Sequence, residues 1–265
     1  MGDARRYLTL YLHFLRFSFS RAMEFRVDFF FRVVMDVVYY IVHLAFFTII
    51  YQHTTLLGGW TLDQTYVFVC GYLFIDALHM TVFSNNLWWL PIFINRGDLD
   101  YYLVRPISSL YFLSLRDFAA NSFLNLLIAA GLLTWSLVRY PGPLGPGRLL
   151  LYFAFLLVGF VIHYQLRMAF IIPVFWLHSN RGLDEISWSL GKLAERPHQI
   201  YGDWLRRTLS TVLPLALIFS MPAHVLFDGL SLERLLHVGV VTACGAAFIL
   251  WFWRRGLAGY SSASS

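Results

Sequence analysis

The groups in this chain with the most chemistry in them are ionisable side chains set inside long apolar runs. Asp76 and His79 share one run and His163 sits in another; Arg32 and Asp36 stand four apart where the first run begins. A charge in hydrocarbon costs at least about 2.5 kcal/mol and usually finds a partner or a water-filled cavity. Asp76, His79 and His163 are the materials of a proton relay, which would suit a proton- or ion-coupled carrier. Spacing alone does not bring the three together, and single polar residues in a bundle also serve to bond neighbouring helices. Arg32 and Asp36 can pair along one helix face. Arg116 and Asp117 are adjacent and so point apart, and Arg32, Arg116 and Arg167 have the reach to snorkel to headgroups.

Other chemistries are missing from the sequence. Cys70 and Cys244 both fall in apolar runs and form no CxxC pair, so neither a zinc site nor a disulfide framework is implied. There is no HExxH and no GxSxG, and Gly191-Lys192 is followed by Leu193 without the upstream glycine of a phosphate-cradling loop. The chain therefore carries no cofactor site and no nucleotide engine of its own.

The elements that hold these residues follow from composition. Of 265 residues, 58% are hydrophobic, 18% aromatic and only 13% charged, against about 25% charged in soluble domains. A bilayer core about 30 Å thick takes roughly 20 apolar residues per helix. The expected fold is an all-α membrane protein, one domain over residues 1–265, with a six-span bundle over 29–253. The spans run from Phe29 to Tyr51, Tyr66 to Leu90, Leu110 to Val138, Leu149 to Leu177, Leu209 to Leu226 and Leu235 to Trp253. Pro214 and Pro222 leave the fifth either re-entrant or merely kinked. On the sixth, Gly239, Ala243 and Ala247 are spaced four apart, as for close helix approach.

Lys and Arg residues fall mostly in the connections on one side, which places both termini of the multi-pass chain in the cytoplasm. The connection holding Arg181, Asp184, Glu185, Lys192, Glu195, Arg196 and Asp203 is counted on that side. The net charge of +5 then faces anionic lipid, with no basic block suited to nucleic acid. Before the first span, residues 5–27 read as an amphipathic helix lying in the interface, with Thr9, His13, Arg16, Ser20 and Glu24 along one face.

The inner connection from Asn95 to Pro106 is charged, glycine-broken and proline-ended. Gly97 closes one helix, Asp98 can cap a short new one, and Pro106 ends it. Leu99, Tyr102 and Leu103 share a face there, a shape suited to a partner's groove.

That connection carries a pattern G-x-L-D-x-x-L-x-R-P, written here as Gly97, Leu99, Asp100, Leu103, Arg105 and Pro106. Arg196, Pro197, Ile200, Tyr201 and Leu205 come later, then Leu213-Pro214, Met221-Pro222, and a closing Trp253, Gly256, Leu257, Tyr260. In order and spacing the chain resembles the six-span permeases of the ABC-2 type transporters over nearly its whole length. The resemblance implies a non-catalytic membrane subunit that exports its substrate with a second permease, identical or paralogous, and two separate ATPase subunits that bind ATP and magnesium. It makes the 97–106 connection a cytoplasmic coupling helix, with ATPase docking on Gly97, Asp98, Leu99, Asp100, Leu103, Arg105 and Pro106. The serine-rich ending 261–265 departs from the glycine-rich tail often seen in such permeases.

Overall fold

The computed structural model describes residues 3–22, 26–179 and 181–260. Among them the regular structure is helical, apart from an isolated bridge between Leu57 and Trp60. Helix α1 (Asp3–Ala22) is amphipathic, and α2 (Arg26–Ile50) follows it. Helix α3 (Leu62–His79) runs through a π-helical turn (Met80–Ser84) into α4 (Asn85–Arg96), a single apolar stretch of 35 residues rather than the span Tyr66–Leu90. Its limits are chemical. Thr61 and Gln64 form a reciprocal capping box at the start, and Gly97, with φ 81°, stops the far end in a conformation costly for any side chain. Helices α5 (Asp100–Leu103) and α6 (Ser109–Leu115) are short, and α7 (Ala120–Arg139) and α8 (Pro146–Ile171) are long.

The two ends of the bundle are marked by contacts. At one, Trp60 and Tyr140 both meet Phe227, with ring centroids 5.5 and 5.1 Å apart. At the other, Asn95 donates to the His178 carbonyl at 3.1 Å and the Trp253 indole donates to Ser109 at 3.2 Å. These are called the Trp60 end and the Gly97 end below. Helix α1 packs at the Gly97 end, where the Tyr7 hydroxyl accepts the Ser108 amide at 3.2 Å and Phe14 meets Phe112 edge-on.

The third expected span, Leu110 to Val138, is broken. Residues 116–119 form an elbow between α6 and α7, and its peptide groups find partners on three other elements. Asn86 accepts the Asp117 amide at 2.9 Å and donates to the Asp117 carbonyl at 2.8 Å. Ser18 on α1 accepts the Phe118 amide at 3.1 Å, and the Thr81 carbonyl in the π-turn accepts the Ala119 amide at 2.8 Å. A break at membrane depth survives only when its backbone is satisfied in this way. The π-turn and the elbow are two halves of one joint.

The fifth expected span, Leu209 to Leu226, is broken into two helices that meet at 95°. Helix α9 (Val174–Leu177) ends at the Gly97 end, and α10 (Arg181–Ala194) then climbs the bundle. Arg167 on α8 donates to Ser187 at 2.8 Å, Glu195 stands 3.5 Å from His43 of α2, and Gln199 and Ile200 pack on Gly58 at the Trp60 end. From there α11 (Asp203–Thr211) and α12 (Leu215–Asp228) meet at 95°, and α12 returns to the same end, where His224 packs on Trp60. Pro214 sits at the bend, where its missing donor costs nothing, while Pro222 lies inside α12 without ending it. At 14 residues α12 is about 21 Å long, too short to span by itself. The pair is sharply bent, and the connection expected on the cytoplasmic side instead runs along the bundle from the Gly97 end to the Trp60 end. Its helix α10 is amphipathic, with its apolar face on α8 and α12, so hydropathy along the sequence does not mark it.

Helix α12 is the packing centre. Nearly all of Leu215–Leu226 is buried against α8 and α3, and Gly159 of α8 lets the Ile218 backbone approach directly. Helix α13 (Leu232–Gly259) closes the chain. The small-residue stripe on it makes no close helix contact: Gly239 has open space where a Cβ would stand, and Ala243 and Ala247 are exposed.

Candidate functional site

The 97–106 segment is a preformed projection. Its helical turn is α5, started by Leu99 with no side-chain cap, so Asp98 does not play the expected capping role. Leu99 is turned the other way from expectation. It is fully buried among Leu90, Ile94, Leu113 and Met168, and its amide bonds the Phe93 carbonyl at 3.2 Å. The side chains that face outward are Tyr101 (72% exposed), Val104 (83%) and, in part, Leu103. Four residues make barely more than one turn, so the pattern of Leu99, Tyr102 and Leu103 does not define one outer face. Leu99 instead anchors the turn to the bundle.

Two arginines brace it. The Arg105 guanidinium lies 4.8 Å from the Phe112 ring centre and donates to the Tyr101 carbonyl at 3.3 Å. Arg116 lies over Phe93 and Tyr102, at 4.5 and 4.9 Å, and donates to the Tyr102 hydroxyl. Cation–π contacts of this kind are worth about 0.5–2 kcal/mol each, so Arg116 is held by rings and does not snorkel. Tyr260, beyond α13, stands over the same turn. Burial, and then the charges of Asp100 and Asp98, raise its phenol above the ordinary value. The element between α4 and α6 is thereby fixed to α1, α8 and the end of α13.

Of the intramembrane set, the structure joins some members and separates others. His79 and His163 do meet, with rings stacked 4.2 Å apart, and among the described residues His79 Nε2 and His163 Nδ1 have no hydrogen-bond partner. Asp76 bonds neither; its electrostatic neighbours are Asp36, Arg167, Glu195 and His43. Asp36 accepts a hydrogen bond from Asn125 of α7. The Arg32 side chain lies outside the described residues, as do Glu24 and the tail 261–265. Arg167 turns to α10, bonding Ser187 and lying 5.8 Å from the Trp188 ring, instead of reaching for headgroups. The contribution of α10 and Glu195 to this polar strip had no hydropathy signal.

A second polar network closes the Trp60 end. Gln199 bonds His224 at 2.5 Å, His224 bonds Asp228 at 2.8 Å, and Arg234 donates to the Gly229 carbonyl at 2.9 Å. His198 packs against His224 with ring centres 5.4 Å apart. Burial, then the nearby His224 and Arg206, push the His198 imidazole down to about 4. Unfolded, the ring titrates near 6.5, so protons favour the unfolded chain: stability is complete above about pH 6.5 and declines as pH falls toward 4. Thermal unfolding followed against pH should show that decline, and His198→Asn should make it shallower; an unchanged profile in the variant would refute the assignment to His198.

Compared with known proteins, residues 37–264 match the family model described as ABC-2 family transporter protein. No curated protein and no solved structure matches the chain.

Proposed function

This chain belongs to the ABC-2 family of transporter proteins and is a membrane permease of an ABC transporter; from that premise we propose that it exports its substrate with energy from ATP hydrolysed on separate subunits docked at α5. The observation that carries this reading is the exposed apolar tip of Tyr101, Leu103 and Val104 on an element otherwise braced from several sides. A groove on the ATPase takes the tip, and closure of two ATPases around ATP and magnesium pushes it. Because Leu99, Arg105 and Arg116 tie the turn to its neighbours, the push moves α4 and α6 as one body. The elbow at 116–119 and the π-turn are the joint across which that motion reaches α3 and α7. A ligand shifts a conformational equilibrium only through differential contacts, and this tip is where the two ATPase states would differ.

The charge distribution supports the sidedness. Arg5, Arg6, Arg96, Arg105, Arg181, Arg254 and Arg255 gather at the Gly97 end, which supports a cytoplasmic location for that end and for both termini, even with Arg196, Arg206 and Arg207 reassigned to the segment that climbs to and folds back from the Trp60 end. We read residues 1–265 as one membrane domain that works with a second permease copy or paralogue in the bacterial inner membrane. A second reading, proton coupling through the stacked His79 and His163, is favoured by their unpartnered nitrogens.

Isolating the intact complex from its native membrane tests both. A co-purifying ATPase and transport that stops on ATP depletion are the expected results. Transport that survives ATP depletion and stops with the proton gradient would overturn the first reading in favour of the second.

A further inference from the structure

The inside of the 95° bend is not filled by the chain. A cavity of about 360 Å³ opens there, walled by α8 (Ile162, Gln165, Ala169), by Thr211, Val212 and Pro214 at the bend and by Val241, Cys244 and Gly245 of α13. It exists because α11 leaves α12 almost at right angles and because α13 presents small residues opposite. No charged side chain lines it. Two of its polar donors are occupied: the Gln165 amide donates to the Thr242 carbonyl at 3.1 Å, and the Thr211 hydroxyl donates to the Arg207 carbonyl at 2.8 Å.

We propose that this cavity holds one acyl chain of a membrane phospholipid, wedged against the bend between α11 and α12. Its rim is apolar and opens to the outside of the bundle part-way along α13, since Val212 is 75% and Val240 59% exposed, and Phe248 is exposed beside them. Water is a poor occupant because it needs two to four polar partners, and apolar cavities stay dry. No charge awaits a headgroup, which leaves the hydrocarbon at the rim as the filler. The drive is not hydrophobic, because lipid tails are as apolar as the wall. It is the dispersion contact that an empty void of this size forfeits. A chain seated there touches Val212 and Pro214 directly, so lipid occupancy bears on the bend itself.

The test uses the full chain in phosphatidylcholine nanodiscs containing a phosphatidylcholine with a diazirine midway along one acyl chain. After irradiation, adducts mapped by peptide mass spectrometry are expected on 211–214 and 241–245 in excess over the lipid-facing positions Met35 and Ile41 of α2. Cys244→Trp fills the cavity and should lower the 211–214 adducts about tenfold, leaving those at Met35 and Ile41 unchanged. Val241→Trp fills it from the neighbouring position and repeats the test should the first variant fail to fold. Even labelling of all lipid-facing positions, or adducts at 211–214 that survive both fillings, would overturn the proposal. So would crosslinking from Cys244 to a second copy of the chain, which would mean that protein rather than lipid covers the opening.

Discussion

Changing Tyr101 to alanine and Val104 to aspartate together will strip the ATPase from the purified complex while the permease stays folded and inserted. Both side chains stand clear of the bundle, so neither change disturbs the core. Buried aromatic anchors at protein interfaces cost 2 kcal/mol or more on truncation, about 30-fold in affinity, and a carboxylate forced into an apolar groove adds to that. The measure is the ratio of ATPase to permease after affinity capture. The informative contrast is Leu99→Asp, which sits in the same motif but is fully buried. That carboxylate would lie among Leu90, Ile94 and Met168, and the protein itself should be lost from the membrane fraction. A double variant of Tyr101 and Val104 that still captures the ATPase at the wild-type ratio would remove the docking role from this turn.

Gly159→Val will destabilise the protein sharply. A Cβ at Gly159 would lie 2.4 Å from the Ile218 carbonyl oxygen, with the Ile218 carbonyl carbon and Cα next nearest, at 3.2 and 3.3 Å. The obstacle is backbone in the first turn of α12, so no rotamer change relieves it, and the two most closely packed helices must part. Overpacking costs about 1–3 kcal/mol when side chains can adjust, and here they cannot. Gly239→Ala is the control: nothing stands within 4 Å of that Cβ, and helix propensity alone favours alanine by up to about 1 kcal/mol. Thermal unfolding in the same lipid should fall sharply for the first and hold or rise for the second. Equal stability of Gly159→Val and the wild-type chain would mean that α8 and α12 are not in backbone contact.

What the order of residues determined by itself was the class of the molecule and much of its punctuation. An apolar run long enough to cross hydrocarbon has few alternatives, because its backbone must bond within itself, and α2, the α3–α4 run, α8 and α13 were legible for that reason. So were the stop at Gly97, which rests on a local conformational preference, and the family pattern around it, which the match over residues 37–264 bears out. What only the tertiary structure decided is how polar backbone and polar side chains are sheltered. Helix α10 reads as a charged connector until α8 and α12 cover its apolar face and Arg167 meets Ser187. The elbow at 116–119 is invisible until Asn86, Ser18 and Thr81, remote in sequence, supply its hydrogen bonds. Leu99 looked like a docking side chain because spacing along one short turn cannot say which direction is inward. Hydropathy measures the cost of placing a residue in lipid, and a residue that never meets lipid is free of that rule.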